Sequence, residues 1–212
     1  MTLSNMRKNG LILALFAVIA TALVVGTEKL TASQIERQAQ QQLLSTLNQI
    51  IPPARHDNDL YQSCRLLTLP QAQQPSTLYR AWLAQKPQAV AMQVTAPNGY
   101  SGAIRLLVAV DNSGYVMGVR VLEHKETPGL GDKIETRKSD WINEFNGKTV
   151  KGADDDRWAV KRDGGMFDQF TGATITPRAV VGAVERAVEF IKANPEKVYS
   201  DNLPHCQEQH HE

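Results

Sequence analysis

The residues best placed to hold a ligand run from Asp168 to Pro177: Asp168-Gln169-Phe170-Thr171-Gly172-Ala173-Thr174-Ile175-Thr176-Pro177. Threonine hydroxyls, one carboxylate and small residues at a turn suit the binding of an anion better than acid–base chemistry. Pro177 fits the first position of a helix, where a missing N–H costs nothing, and Thr176 fits the N-cap. Beyond it Ala179, Val180, Ala183, Val184, Ala187, Val188 and Ile191 recur at helical spacing until Asn194-Pro195 stops the run. The N-terminus of such a helix offers unpaired N–H groups and a partial positive charge, so a phosphate held at the turn would be stabilised. Gly172 and Ala173 remove the bulk that would keep it away. On geometry alone a second reading stays open, because many helices begin with Thr and Pro after a glycine turn and bind nothing.

Other constellations lead elsewhere. His124-Lys125-Glu126-Thr127-Pro128-Gly129-Leu130-Gly131-Asp132-Lys133 is a rigid Pro-Gly loop, of a kind more often structural than functional. A dinucleotide site fails here, since the third glycine is missing and a hairpin precedes the loop. Asp154-Asp155-Asp156 lacks the glycine and distal glutamate of an EF-hand and reads as a solvated acidic turn. The tail residues His205, Cys206, His210 and His211 match no zinc module, so no metal site is expected. No Cys-x-x-Cys exists for an iron–sulfur cluster. Cys64 and Cys206 are either joined, in an oxidising compartment, or two unrelated thiols. Lys+Arg 23 against Asp+Glu 22 gives a net charge of +1, which leaves no basic footprint for nucleic acid.

The elements that must position the turn follow from the pattern of the chain. Residues 1–9 carry Arg7 and Lys8, and 10–27 form an uncharged apolar run, near the lower limit for a spanning helix and longer than most signal-peptide cores. The small-x-small site Ala20-Thr21-Ala22 lies inside the run rather than after it, which favours an uncleaved transmembrane anchor over a cleaved signal. An amphipathic surface helix is disfavoured by the absence of a polar face. Basic residues before the span and Glu28 after it place 1–9 in the cytoplasm and the bulk of the chain outside, in a bacterium the periplasm. Residues 28–53 read as an amphipathic stalk helix with Leu43, Leu44, Leu47, Ile50 and Ile51 on one face, ended by Pro52-Pro53. Arg55 to Thr77, with Pro70, reads as loop or short irregular strands. Strands follow at Tyr79–Leu83, Ala89–Thr95, Ile104–Val110 and Tyr115–Leu122, the last two joined by the Asp111-Asn112-Ser113-Gly114 turn. Further on come a helix around Trp141, Ile142 and Phe145 ended by Gly147, and a strand over Arg157–Arg162. Short turns make the strands antiparallel, so residues 54–200 form one α+β domain, an antiparallel sheet covered by helices, with 201–212 a flexible tail.

The segment Asp168-x-x-Thr171-Gly172-Ala173-Thr174 resembles the site at which a flavin transferase attaches FMN to a threonine. Taken with the N-terminal span, Gly99-Tyr100-Ser101-Gly102 and the Glu126 to Gly131 loop, the whole chain resembles the G subunit of the bacterial Rnf (Rsx) ion-translocating electron-transport complex. It is similar, less closely, to the C subunit of the sodium-pumping NADH:quinone reductase. The resemblance implies that 54–200 is an FMN-binding domain, with covalent FMN joined through its phosphate to Thr174, and that Asp168 belongs to the pattern the transferase reads. It implies cofactor contacts at Thr171, Gly172, Ala173, Thr176, Glu126, Thr127, Leu130 and Gly131. Thr171 stands where many relatives have serine. The implied protein is a single-pass inner-membrane redox subunit with a periplasmic domain, partnered by other membrane subunits of the complex and matured by the transferase. No residue need act as nucleophile or general base in turnover. The contrasting expectations are a membrane-anchored module binding a phosphate-bearing or anionic ligand without redox activity, and a purely structural tether.

Overall fold

The structure is a computed structural model that describes residues 2–68, 75–152 and 155–206. Pro70, Asp154, His210 and His211 lie outside the described residues, as do 207–212 of the expected tail. The chain divides into two compact units, Met1–Leu43 and Leu44–Glu212.

Most of one helix, α1 (Thr2–Ile50), makes the first unit. The span and the stalk expected to continue from it form a single unbroken helix, because nothing between Gly26 and Ile50 breaks helical hydrogen bonding. Thr27 and Thr31 turn their hydroxyls back to the carbonyls of Leu23 and Thr27, each at 2.8 Å, and so satisfy themselves inside the helix. Apolar side chains point outward all round its N-terminal half, with Leu11 72%, Phe16 67% and Leu23 64% exposed. The helix is long and apolar enough to cross a membrane.

The second unit is built on a five-stranded antiparallel meander in sequence order. Its strands are β1 (Arg65–Leu67), β2 (Ser76–Leu83), β3 (Lys86–Ala96), β4 (Ile104–Asp111) and β5 (Val116–Glu123). Alternation decides which face each side chain joins. Ile104, Leu106, Val108 and Val110 of β4 enter the main core beneath α2 (Ile175–Ala193), whose Val180, Val184, Val188 and Ile191 form the buried stripe. The opposite face carries a row of small residues, Ala91 paired with Ala109 and Ala109 with Gly118. The last turn of α1 lies in that trough: a Cβ on Gly118 would stand 2.7 Å from Ile50 Cγ2. Leu47, Ile50, Ile51 and Leu60 are thereby buried on a face that would otherwise be wet.

The β2–β3 hairpin turns at Ala84 and Gln85, both with positive φ and neither a glycine, which is why turn chemistry gave no sign of it. Arg157–Arg162 is not a strand. Val160 makes one isolated bridge to Phe167, and Lys161–Asp163 is a 3-10 turn, because Trp158 packs inward among aromatic rings instead of alternating. The helix expected around Trp141 is a 3-10 segment, Trp141–Phe145, and Gly147 with φ +72° ends the turn after it. Beyond α2 a short α3 (Pro195–Val198) leads back to β1, where Cys206 is joined to Cys64 by a disulfide and Leu66 N–H donates to Pro204 O at 2.9 Å. The bridge spans 142 residues of sequence. On a chain-entropy argument it stabilises the domain by up to about 5 kcal/mol.

Two tyrosines pack under this closing segment. Tyr79 is 3% exposed and accepts from Gln93, and Tyr199 stands edge-on to Trp82 at 5.7 Å. Burial pushes both phenols up to about 12. Over the interval from pH 10 to 12 the unfolded chain has lost these protons and the native one keeps them, so stability is full below about 10 and falls as pH rises. Tyr79 alone accounts for roughly 2–3 kcal/mol of that loss. Alkaline titration should therefore show two of the five tyrosines ionising together with loss of folded circular dichroism; five ordinary titrations in a folded chain would contradict it.

Candidate cofactor site

Aromatic packing fixes the turn that precedes α2. Phe167 stacks on Phe145 at 4.4 Å between ring centroids, and Phe170 meets Trp141 edge-on at 5.1 Å. Between these anchors Trp141 Nε1–H donates to the Asp168 carbonyl at 2.7 Å. The Asp168 side chain stays outside, about half exposed, with Lys161 Nζ 2.5 Å from Oδ1. Ala173 N–H then donates to Phe170 O at 3.1 Å, closing a tight turn in which Gly172 has φ +79°. A side chain there would be strained.

Helix α2 begins earlier than the sequence suggested. Its N-cap is Thr174, in helical conformation and without a side-chain capping bond, and Ile175 is the first helical residue. Thr176 is thus not the cap. It sits in the first turn, fully buried, and its hydroxyl donates to Glu126 Oε2. Thr176 cannot cap because the helix already starts at Ile175, and its hydroxyl proton goes to a buried carboxylate that would be costly to leave unpaired. The first turn of α2 holds no acidic residue, so the positive end of its dipole is uncancelled by its own sequence.

Glu126 is the point where three loops meet. It is 4% exposed, and its other oxygen accepts from Ser101 N–H at 3.0 Å. Gly99 and Gly131 crowd it: a Cβ on Gly99 would stand 2.9 Å from Glu126 Oε1, and one on Gly131 2.8 Å from Oε2 and 2.9 Å from Thr176 Oγ1. The Gly99 to Gly102 loop, the Glu126 to Gly131 loop and the start of α2 are therefore held on one carboxylate. Glu126 N–H donates to His124 Nδ1 at 3.0 Å, which leaves Nε2 to donate to Glu135 Oε1 at 2.7 Å. Arg137 beside it holds the Glu135 carboxyl below the usual range, with the His124 hydrogen bond adding to the effect. Within the loop the Thr127 carbonyl accepts from both Leu130 and Gly131 N–H at 3.1 Å. Asp132 Oδ1 accepts from Gly129 N–H at 2.7 Å.

The expected site residues so fall into two groups. Glu126, Gly131 and Thr176 are buried and committed to one another, forming a frame, with Thr127 half-buried beside them. Thr171, Gly172 and Leu130 are exposed, and Ala173 and Thr174 half-buried, forming a surface. Leu130 reaches across to the turn, its Cδ2 3.9 Å from where a Gly172 Cβ would be. Of the three threonines only Thr174 combines access with the N-cap position. A phosphate ester fits there: Gly172 and Ala173 just before it are small, the first turn carries no acidic residue of its own, and a helix N-terminus offers unpaired N–H groups. The aromatic anchors and the Arg178–Asp163 pair, bidentate at 2.6 Å, were not foreseen. The first had a signal in the clustering of Trp141, Phe145, Trp158, Phe167 and Phe170, while the second had none.

Thr176→Val removes one of the hydrogen bonds to the buried Glu126 carboxylate at constant shape. It should cost about 1.5–3 kcal/mol in denaturant unfolding. A loss under about 0.5 kcal/mol, the size of an ordinary surface change, would show that the frame does not depend on this bond.

Comparison with known proteins bears on the same segments. Residues 99–189 match the FMN-binding domain family and residues 1–50 match the RnfG N-terminal region. The chain is 54% identical over 199 residues to the G subunit of the ion-translocating oxidoreductase complex of Aliivibrio fischeri, covering 92% of this chain and 95% of that one. The G subunit of the Vibrio cholerae complex is 51% identical over 205 residues, covering 95% and 98%. That of Escherichia coli O157:H7 is 51% identical over 207 residues, covering 97% and 100%.

Proposed function

The chain belongs to the G-subunit family of ion-translocating oxidoreductase complexes, and from that membership we propose that it is a membrane-anchored electron carrier bearing covalent FMN on Thr174. The single observation that carries the residue assignment is the division of the threonines: Thr176 is buried against Glu126, Thr171 lies on the far side of the Gly172 turn, and Thr174 caps α2. FMN, when bound, supplies one- and two-electron transfer. The chain's own residues would orient and retain it. The N-terminus of α2 stabilises the phosphate, by roughly 0.3–1 kcal/mol and somewhat more if it is shielded from water. Glu126, Gly131 and Thr176 keep the platform in place behind the attachment point, and Thr127, Leu130, Thr171, Gly172 and Ala173 shape the surface in front. Asp168, with its main chain fixed by Trp141 and its carboxylate outside, is presented to the flavin transferase.

As one member of such a complex the protein has the other subunits as partners, and its electron transfer is coupled to ion movement. Residues 10–27 are the anchor, with 1–9 in the cytoplasm, and 54–200 the periplasmic FMN domain that the stalk, 28–53, leads into. Two features support this topology: Arg7 and Lys8 before an uncharged span, and a disulfide between Cys64 and Cys206, which persists only in an oxidising compartment.

Thr174→Val keeps size and branching but lacks the hydroxyl. Co-expressed with a flavin transferase, the unmodified protein should stay yellow after denaturation and desalting and carry the mass of FMN, and the variant should fold without it. FMN mass localised to Thr171 or Thr176 would overturn the assignment. A colourless, unmodified wild type with affinity for inorganic phosphate would support an anion-binding module instead.

For topology, protease added to intact spheroplasts should digest the domain beyond the anchor. Protection until the membrane is broken would refute the periplasmic placement.

A further inference from the structure

Behind the frame, both ring nitrogens of His124 are engaged. The residue is the first past β5, and its side chain is 12% exposed. A backbone N–H can only donate, so the 3.0 Å contact from Glu126 N–H needs an Nδ1 that carries no proton. In this arrangement the ring is neutral, with its one proton on Nε2 facing Glu135 Oε1 at 2.7 Å. Glu135 is firmly anchored. Its carbonyl accepts from Lys138 N–H at 2.9 Å and Ser139 N–H at 3.1 Å, its N–H donates to Asp132 O at 3.0 Å, and its other carboxylate oxygen accepts from Arg137. Ile134, just before it, is fully buried.

A second proton on the ring would arrive at Nδ1 and face the Glu126 N–H, donor against donor. The Nε2 contact would meanwhile become an ion pair and tighten. The ring then stays with Glu135, and the Glu126 main chain is the part that must give way. Its carboxylate has no slack to absorb the movement, because Gly99 and Gly131 already close on it. Ser101 N–H and the Thr176 hydroxyl, which donate to that carboxylate, would lose register with it.

We propose that His124 is a positioning residue of the cofactor frame: neutral, it holds the Ser101 loop and the start of α2 together through Glu126, and a proton on Nδ1 releases them. The proposal concerns the chain's own hydrogen bonds and stands whether or not Thr174 carries flavin. The charged groups on the elements packed against the ring are Glu135 with Arg137, the Asp132–Lys138 pair at 3.5 Å, and the Glu126 carboxylate of its own loop. Glu123, one residue before, is turned to Arg105 of β4 at 3.1 Å, and Lys125, one after, is exposed. Arginine and lysine keep their charge from about pH 8 to about pH 5, and Arg137 holds the Glu135 carboxyl below the usual range. Imidazole is the side chain whose ordinary titration falls inside that interval.

Amide hydrogen exchange on the full-length protein, corrected for the intrinsic pH dependence of exchange, tests this. In wild type the protection of the Ser101 and Glu126 amides should fall at least about tenfold from about pH 8 to about pH 5, the worth of one hydrogen bond to a charged group, while amides in the middle of β4 keep theirs. His124→Asn is the sharpest comparison, because an asparagine oxygen accepts from the N–H two residues on, as the imidazole does, and does not titrate. That variant should hold its protection at both pH values. Glu135→Gln, which leaves His124 in place, should move the wild-type transition to lower pH, since the imidazolium loses its counter-charge. Equal protection across the interval in wild type would overturn the proposal. So would a pH dependence that persists in His124→Asn, which would assign the proton to Glu126 itself, or a transition that Glu135→Gln leaves where it was.

Discussion

A carboxylate in the interior must be matched by donors, and the Glu126 side chain is where the architecture of the site meets that constraint. Leaving a charge buried and unpaired costs several kcal/mol, so whatever donates to it is held strongly in place. Here the donors come from separate parts of the chain: a backbone N–H in the loop after β3 and a hydroxyl in the first turn of α2. Neither loop has a packed core of its own. The carboxylate therefore does for them what a hydrophobic core does for the sheet, and Gly99 and Gly131 are glycines because their backbones must close on it. The consequence is a rigid platform behind a surface of small and exposed residues, which is what a ligand site built on loops requires.

The start of α2 is shared between two tasks that a simpler helix would combine. Capping by a side-chain hydroxyl would have consumed Thr174 or Thr176 in satisfying the helix itself. Because Thr174 makes no capping bond and Thr176 lies inside the first turn, donating to Glu126, no side-chain cap occupies the helix end. Exposed ion pairs on either side, Lys161 with Asp168 and Arg178 with Asp163, contribute little energy at the surface. Their geometric effect is larger, since together they tie the Lys161–Asp163 segment to both ends of the Asp168 to Arg178 stretch.

Much of this was legible in the residues. Strand alternation from Leu78 to Leu122, the Asp-Asn-Ser-Gly hairpin and the spacing of Ala179 to Ile191 located the sheet and α2 within a few positions, because each depends on local periodicity or turn chemistry. The misses share a cause, which is competition from contacts distant in sequence. Thr176 reads as a cap until a carboxylate fifty residues away claims its hydroxyl. Arg157–Arg162 has strand composition but its tryptophan is drawn into a cluster with Phe145 and Phe167. The Cys64–Cys206 link could be neither affirmed nor denied from spacing, since it depends on the tail returning to β1. The motif residues read as a set in the sequence, yet sorting them into a buried frame and an exposed surface needs burial, which no spacing encodes.

That sorting matters for what kind of redox protein this is. An enzyme that reduces a small substrate gains by enclosing its flavin, because excluding water strengthens every electrostatic contact and blocks side reactions. A carrier has the opposite need, since its cofactor must approach another centre held elsewhere in the complex. The side chains in front of the α2 N-terminus are open: Tyr100 68%, Ile175 47% and Leu130 42% exposed, with no lid among the described residues. An open site binds a non-covalent flavin weakly, because most of the ring's apolar surface would stay in water and the phosphate contact alone is worth about 1 kcal/mol. Covalent attachment, as proposed for Thr174, would resolve the conflict between access and retention. Such an ester would keep the cofactor whatever the surface did, and the surface would then be free to set orientation and potential. On that proposal the exposure of the site and the hydroxyl of Thr174 would be a single adaptation: a site this open would need a tether, and a tethered flavin would need no lid.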